Sequence, residues 1–237
     1  MMKARRIKAI FKKQMLNTSQ NIGILIQFSI YPILMLAIVL FFNQLSDAGK
    51  IRTVISLSTV FVGLTPMLII STTIREDRAT GTLRMIIMST VKPIEYFIGV
   101  NAWILLLSAI NALIFGIMGG FSGLKLMVFV GGLLLAVSVT LMLGSVFSIA
   151  IRGSSHLVIG FISIISIMNG LLPFFSAGNQ SFLNIVKYWY TQQVNYIMAE
   201  LYDDIGENLY YRFIIIGTHL LIFSILFAIL YRKNKLL

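Results

Sequence analysis

Six long stretches without a single Asp, Glu, Lys or Arg dominate this chain: Ile22–Phe42, Thr53–Ile74, Tyr96–Leu124, Leu126–Ile151, Leu157–Ala177 and Phe213–Tyr231. A helix needs about 20 mostly apolar residues to cross a hydrocarbon layer of about 30 Å. In lipid every backbone N–H and C=O must find its partner inside the segment, and a helix does that. The reading is therefore an all-α membrane protein with six transmembrane helices in the region 22–231. In a chain of 237 residues these stretches leave no room for a soluble domain of ordinary size.

The remaining residues decide orientation and partners. The net charge is +11, which by itself is compatible with a nucleic-acid partner. Its distribution argues against one. If both termini lie on one side of six crossings, that side holds 14 of the 19 Lys and Arg residues, Lys3 to Lys13 and Arg75 to Lys92 among them. The other side holds Lys50, Arg52, Lys125, Lys187 and Arg212, balanced by five of the eight carboxylates. Cations favour the cytoplasmic side of short loops. The expectation is thus a multi-pass protein of the plasma membrane with both termini cytoplasmic, its basic excess facing anionic headgroups.

There is no cysteine, so disulfides and thiolate-bound metals are excluded. His156 and His219 lie far apart in sequence, and zinc sites need three or four ligands. No Gly-x-x-x-x-Gly-Lys-Ser/Thr phosphate loop is present, so no nucleotide site is expected in this chain. No Gly-x-Ser-x-Gly motif or paired glutamates lie in a span, which argues against an intramembrane enzyme.

Between the apolar stretches four segments carry information. Residues 1–21 place Ile7, Ile10 and Phe11 at helical spacing among six cations, which predicts a basic amphipathic helix lying on the membrane surface. Pro32 and Pro66 fall inside the first two spans and predict helix kinks. Small residues of the fourth span, Gly131, Gly132 and Gly144 among them, predict close helix packing. Residues 178–211 are aromatic and apolar around Trp189-Tyr190 and predict one or two short helices dipping into the outer leaflet surface, an outer re-entrant hairpin. Residues 232–237 form a basic tail.

The segment 75–93 is the most specific. Four cations and two carboxylates bracket it, and Leu83, Ile86, Ile87 and Thr90 fall at i, i+3, i+4 and i+7. Thr80 or Thr82 supplies a cap. This predicts a short amphipathic helix between two spans, able to dock into a partner's groove.

Here the chain resembles the membrane subunits of type-2 ABC exporters, similar to small bacterial peptide-toxin export and immunity permeases. Arg75, Glu76, Gly81, Thr82, Leu83 and Arg84 match a stretch Arg-Glu-x-x-x-Gly-Thr-Leu that follows the second span in that family, with Gly81 one residue further along. The Leu171–Phe174 run closing the fifth span is also similar, while Trp189-Tyr190 stand where many members carry a proline. The resemblance implies a separate ABC ATPase subunit, which holds ATP and Mg, docked on a coupling helix. Arg75, Glu76, Arg78, Gly81, Thr82, Leu83, Arg84 and Ile87 are the candidate coupling residues. It also implies a second copy of the chain or a homologous permease, the first and fifth spans meeting that partner and the second and fifth facing the substrate path. No cofactor is expected in the chain itself. Spans without charge suit hydrophobic or amphipathic cargo; a peptide toxin or antimicrobial peptide is the leading expectation, with a drug or lipid as the alternative. A secondary transporter without an ATPase is the alternative of another class.

Overall fold

The computed structural model describes residues 4–41, 47–88, 91–151, 153, 155–177, 180–203 and 208–233. They form ten helices in the order α1 (Ala4–Gln20), α2 (Ile22–Phe41), α3 (Asp47–Ala79), α4 (Thr82–Met88), α5 (Pro93–Met118), α6 (Gly123–Ala150), α7 (Ser155–Ala177), α8 (Gln180–Val186), α9 (Tyr190–Tyr202) and α10 (Leu209–Lys233). No strand occurs among the described residues. The all-helical expectation holds.

Five of these helices, α3, α5, α6, α7 and α10, are each long and apolar enough to cross a membrane. The first apolar stretch reaches that standard only together with α1, to which it is joined at 80°. The chain is thus a multi-pass membrane protein with five such helices, or up to six. The bend sits at Asn21, the one non-helical residue between α1 and α2. Asn21 donates its N–H to the Thr18 carbonyl at 3.1 Å, and its own carbonyl accepts from Ile24 at 3.1 Å. One residue thus closes a helix and opens the next.

Breaks elsewhere follow local chemistry. Gly119 caps α5, and Gly120 and Gly123 take positive φ of 76° and 54°, a region that favours glycine. α5 begins with Pro93, where a missing N–H costs nothing, and the Lys92 N–H donates to the Glu95 carboxylate at 3.0 Å. The helices α2 and α3 run on through Pro32 and Pro66. α3 has 33 residues, about 50 Å at 1.5 Å per residue. That exceeds the hydrocarbon layer, so its charged last turns extend beyond the apolar stretch that the sequence marks at Thr53–Ile74.

α3 is the centre of the bundle. It packs on α2, α5, α6, α7 and α9, and Val62, Met67, Ile70 and Ile74 along it are buried. Its two closest crossings are made by glycine. A Cβ placed on Gly63 would stand 2.5 Å from the Gly170 Cα of α7. A Cβ on Gly144 of α6 would stand 2.6 Å from the Ile70 side chain and 3.0 Å from the Met67 carbonyl. Ser71 adds a hydrogen bond to the Gly144 carbonyl at 3.2 Å. Lipid gives no hydrophobic drive for helices to associate, so such backbone-level packing holds them together. The fourth-span glycines therefore divide. Gly144 makes the close crossing, Gly132 faces Phe213 of α10, and Gly131 meets nothing within 4 Å. α10 lies at the rim, with Tyr210, Leu221, Ile225 and Ile229 exposed.

Gly63→Val places two methyl groups against the α7 backbone. Overpacking of this kind costs about 1–3 kcal/mol or more, and here the neighbour is backbone that cannot turn aside. The expected result is a clear loss of thermal stability and of monodisperse protein on size exclusion in detergent, with Gly131→Ala unchanged. Equal melting of Gly63→Val and the parent chain contradicts the crossing.

Candidate functional site

The charged ends of α1, α3 and α5 meet in one cluster. On α1, helical spacing places Arg6, Ile10, Lys13 and Gln14 toward its neighbours, and Ile10, Gln14 and Thr18 are buried. Gly99 of α5 lets α1 come close, since a Cβ there would stand 2.8 Å from the Ile10 side chain. Lys13 Nζ reaches Asp77 Oδ1 at 2.6 Å, and the Tyr96 hydroxyl donates to Asp77 Oδ2 at 2.7 Å. Gln14 donates to Thr73 at 3.2 Å, Trp103 Nε1 donates to Thr18 at 2.9 Å, and Phe11 meets Trp103 edge-on at 5.4 Å. Arg6 lies 3.5 Å from the buried Glu95. A buried carboxylate persists only when charge and hydrogen bonds replace water, and Asp77 has both.

The predicted coupling residues divide between buried anchors and exposed groups. Arg75 and Arg78 are not loop residues; they lie in the last turns of α3. Arg75 is buried, and its guanidinium donates to the Ile151 carbonyl. Arg78 reaches the Ser148 carbonyl at 3.5 Å. The last carbonyls of a helix have no partner within it and carry partial negative charge, so these two arginines fasten the end of α6 to the end of α3. Glu76 is exposed.

Gly81 takes φ of 71°, and the chain reverses there. Thr80 N–H donates to the Glu76 carbonyl at 2.9 Å and Gly81 N–H to the Arg78 carbonyl at 3.2 Å, closing α3. The hydroxyls of Thr80 and Thr82 pair with each other at 2.8 Å, so neither caps α4 in the way the sequence predicts. α4 then spans only Thr82–Met88, shorter than the expected amphipathic helix. Ile86 packs on the core, while Arg84, Met85 and Met88 are exposed. The side chains of Leu83 and Ile87, and residues Ser89 and Thr90, lie outside the described residues. What results is a small outward knob of the exposed Glu76, Arg78 and Arg84 and two methionines, on a base held by the buried Arg75 and Asp77.

A second polar cluster lies at the middle of α3, inside the bundle. Asn169 of α7 donates to the Gly63 carbonyl at 3.0 Å and to the Tyr190 hydroxyl, and accepts from Trp189 Nε1 at 2.7 Å. Thr140 of α6 shares a hydrogen bond with the Tyr190 hydroxyl at 2.8 Å. Burial pushes the Tyr190 phenol up to about 12, so it stays neutral. His219 and Phe223 of α10 close the cluster against Trp189. The Arg212 guanidinium pairs with Glu200 and stacks over Tyr196 at 4.5 Å, tying α10 to α9. Of the expected short helices dipping into the leaflet surface, α9 is the longer. It packs into the bundle against α3, α6, α7 and α10, with Tyr190, Val194, Ile197 and Met198 buried. Residues 178–179 and 204–207 of the predicted hairpin lie outside the described residues.

Sequence reasoning missed Lys13, Asp77, Glu95 and Tyr96 as a unit. One signal was available: Asp77 and Glu95 are two of only eight carboxylates and lie in a cation-rich stretch. Among the described residues no three His, Asp or Glu side chains come together as metal ligands would. Comparison with protein-family models, with curated proteins and with solved structures finds no match.

Removing the Lys13 charge leaves a buried acceptor short of a partner, which costs about 1–3 kcal/mol. Lys13→Met and Asp77→Asn should each destabilise the chain, and the double variant should lose less than the sum of the two. A thermal-denaturation cycle measures this; strict additivity would show that the two residues do not interact.

Proposed function

We propose that this chain is the transmembrane subunit of an ATP-driven exporter of the type-2 ABC class, paired with a separate ATPase and a second membrane subunit. The observation that carries the reading is the α3–α4 knob. Glu76 in the last turns of α3 and Arg84, Met85 and Met88 on the short α4 that follows it are all exposed. The base of that element is tied to three other helices, by Asp77 to α1 and α5 and by Arg75 to the end of α6. A free loop would absorb a push from a docked ATPase. This one passes it to α3, which runs unbroken from the knob to the Tyr190 cluster.

In this reading Glu76 and Arg84 make charge-assisted contacts to the ATPase, and Met85 and Met88 fill its groove. Arg75 and Arg78 act through α6 as positioning residues. The basic ends face the cytoplasm, and both termini lie there. A subunit partner has a fitting surface on α7: Leu157, Phe161, Ile164, Met168 and Phe175 are exposed at spacings of three, four or seven residues, the rhythm of a helix–helix seam. ATP and Mg belong to the ATPase. The cargo is a hydrophobic or amphipathic peptide, because the apolar stretches offer no fixed charge to balance an ionic solute.

The test is purification from the native membrane followed by charge reversal. The chain should bring down a soluble ATPase. Glu76→Lys and Arg84→Glu should each lower peptide export about tenfold, the weight of one lost charge-assisted contact of about 1.4 kcal/mol, with membrane insertion unchanged. Export at the parent rate in both variants, with no ATPase recovered, rejects the reading.

A further inference from the structure

Among the described residues, Arg75 is the one cation that the bundle buries; it is 6% exposed. Buried charges are normally paired with an opposite charge. Asp77 and Glu95, the buried carboxylates of the same end, have such partners in Lys13 and Arg6. Arg75 has none. Its Nη2 donates to the Ile151 carbonyl, and its Nε is enclosed with no acceptor. No carboxylate lies within 4 Å of its guanidinium among the described residues. Glu76, next along the chain, is exposed and forms no ion pair there either.

A second guanidinium stands beside the first. Arg78 lies one turn further on the same side of α3 and reaches the Ser148 carbonyl at 3.5 Å. The end of α6 offers these two arginines only partial negative charge, about half an elementary charge. The connection from α6 to α7 adds Arg152 in sequence and no carboxylate. A guanidinium has five N–H donors, so most of those on Arg75 and Arg78 have no acceptor among the described residues. Full positive charge and unused donors on neighbouring arginines ask for an anion.

Depth indicates which anion. The uncharged stretch of α3 ends at Ile74, so Arg75 stands at the hydrocarbon boundary. Arg78 is about 4.5 Å further along the helix axis, within a headgroup layer about 5–8 Å deep. The helix α1 marks the same level: it is turned 80° from α2, and its Lys13 bonds Asp77, which lies between the two arginines in sequence. We propose that Arg75 and Arg78 bind the phosphate of an anionic phospholipid in the cytoplasmic leaflet, which supplies the counter-charge that Arg75 lacks. Guanidinium groups match phosphate oxygens in geometry as well as charge. A zwitterionic headgroup would bring its own ammonium against two arginines, so a headgroup without a cation is preferred. Inorganic phosphate shares the chemistry but has no acyl chain to hold it at the boundary.

The experiment is a thermal-shift titration of the full chain in a maltoside detergent and phosphate-free buffer, without ATPase. The probes are dihexanoyl-phosphatidylglycerol, dihexanoyl-phosphatidylcholine and sodium phosphate. The phosphatidylglycerol should raise the melting temperature to a plateau. The other two should need at least about tenfold more. Arg78→Gln, at an exposed position, should raise the phosphatidylglycerol midpoint about tenfold, as expected for one lost charge-assisted contact. Lys12→Gln removes the same charge from an exposed site on α1 and should leave the midpoint unchanged. Arg75→Met should abolish the response; if that variant does not fold, the contrast between Arg78→Gln and Lys12→Gln decides. The proposal is overturned if the parent chain shows no saturable response, or if phosphatidylcholine or inorganic phosphate acts at the same concentration. An equal loss in Lys12→Gln and Arg78→Gln would mean diffuse attraction and overturns it too. So does an unchanged midpoint in Arg78→Gln, which would leave these arginines to a protein partner. Because no ATPase takes part, the result stands apart from the co-purification that tests the exporter reading.

Discussion

The approach of α3 to α7 at Gly63 and Gly170 is the contact on which the rest of the bundle depends. It brings two backbones so near that Gly63 has no room for a methyl group and one on Gly170 would stand 3.1 Å from the Val60 carbonyl. In water, side-chain burial could hold two helices at a wider spacing. In lipid the tails are as apolar as the side chains, and only dispersion at close range and polar contacts favour the pair. The same approach carries the Gly63 carbonyl to within 3.0 Å of the Asn169 amide. Asn169 can then hold Tyr190 and Trp189, and these in turn seat α9. Widen that crossing and the hairpin loses its anchor.

The helices themselves were legible because their signal is local. An uncharged run of 19 residues or more, closed by Asn21 or by Gly119-Gly120, fixes a helix without reference to anything distant. The hairpin was legible as one or two short helices from its aromatic and apolar run. Its destination was not. Thr191, Gln192 and Gln193 are polar, yet all three are buried. What turns them inward is a tyrosine whose partners, Thr140 and Asn169, lie 50 and 21 residues away. The candidate site shows the same division. Glu76 and Arg84 are exposed at the knob. Arg75 belongs to the same run of charges but turns inward, because the free carbonyl at the end of α6 lies 76 residues further along the chain. A sequence pattern gives the composition of such a segment and not which of its charges has a partner across the bundle.

Placing these contacts along α3 gives the helix a mechanical meaning. At one end Asp77 ties it to α1 and α5, and Arg75 ties it to α6. Closer to the middle, Ser71 and the Gly144 crossing fasten it to α6 again. Beyond them Gly63 fastens it to α7, and Ser58 meets Met198 of α9 at 3.1 Å. Close-packed interfaces of this kind do not deform continuously; they shift as units between arrangements. A displacement of α3 along its axis would therefore carry the α7–α9 corner with it, Ser56 on α3 and Gln192 and Asn195 on α9 moving as one unit.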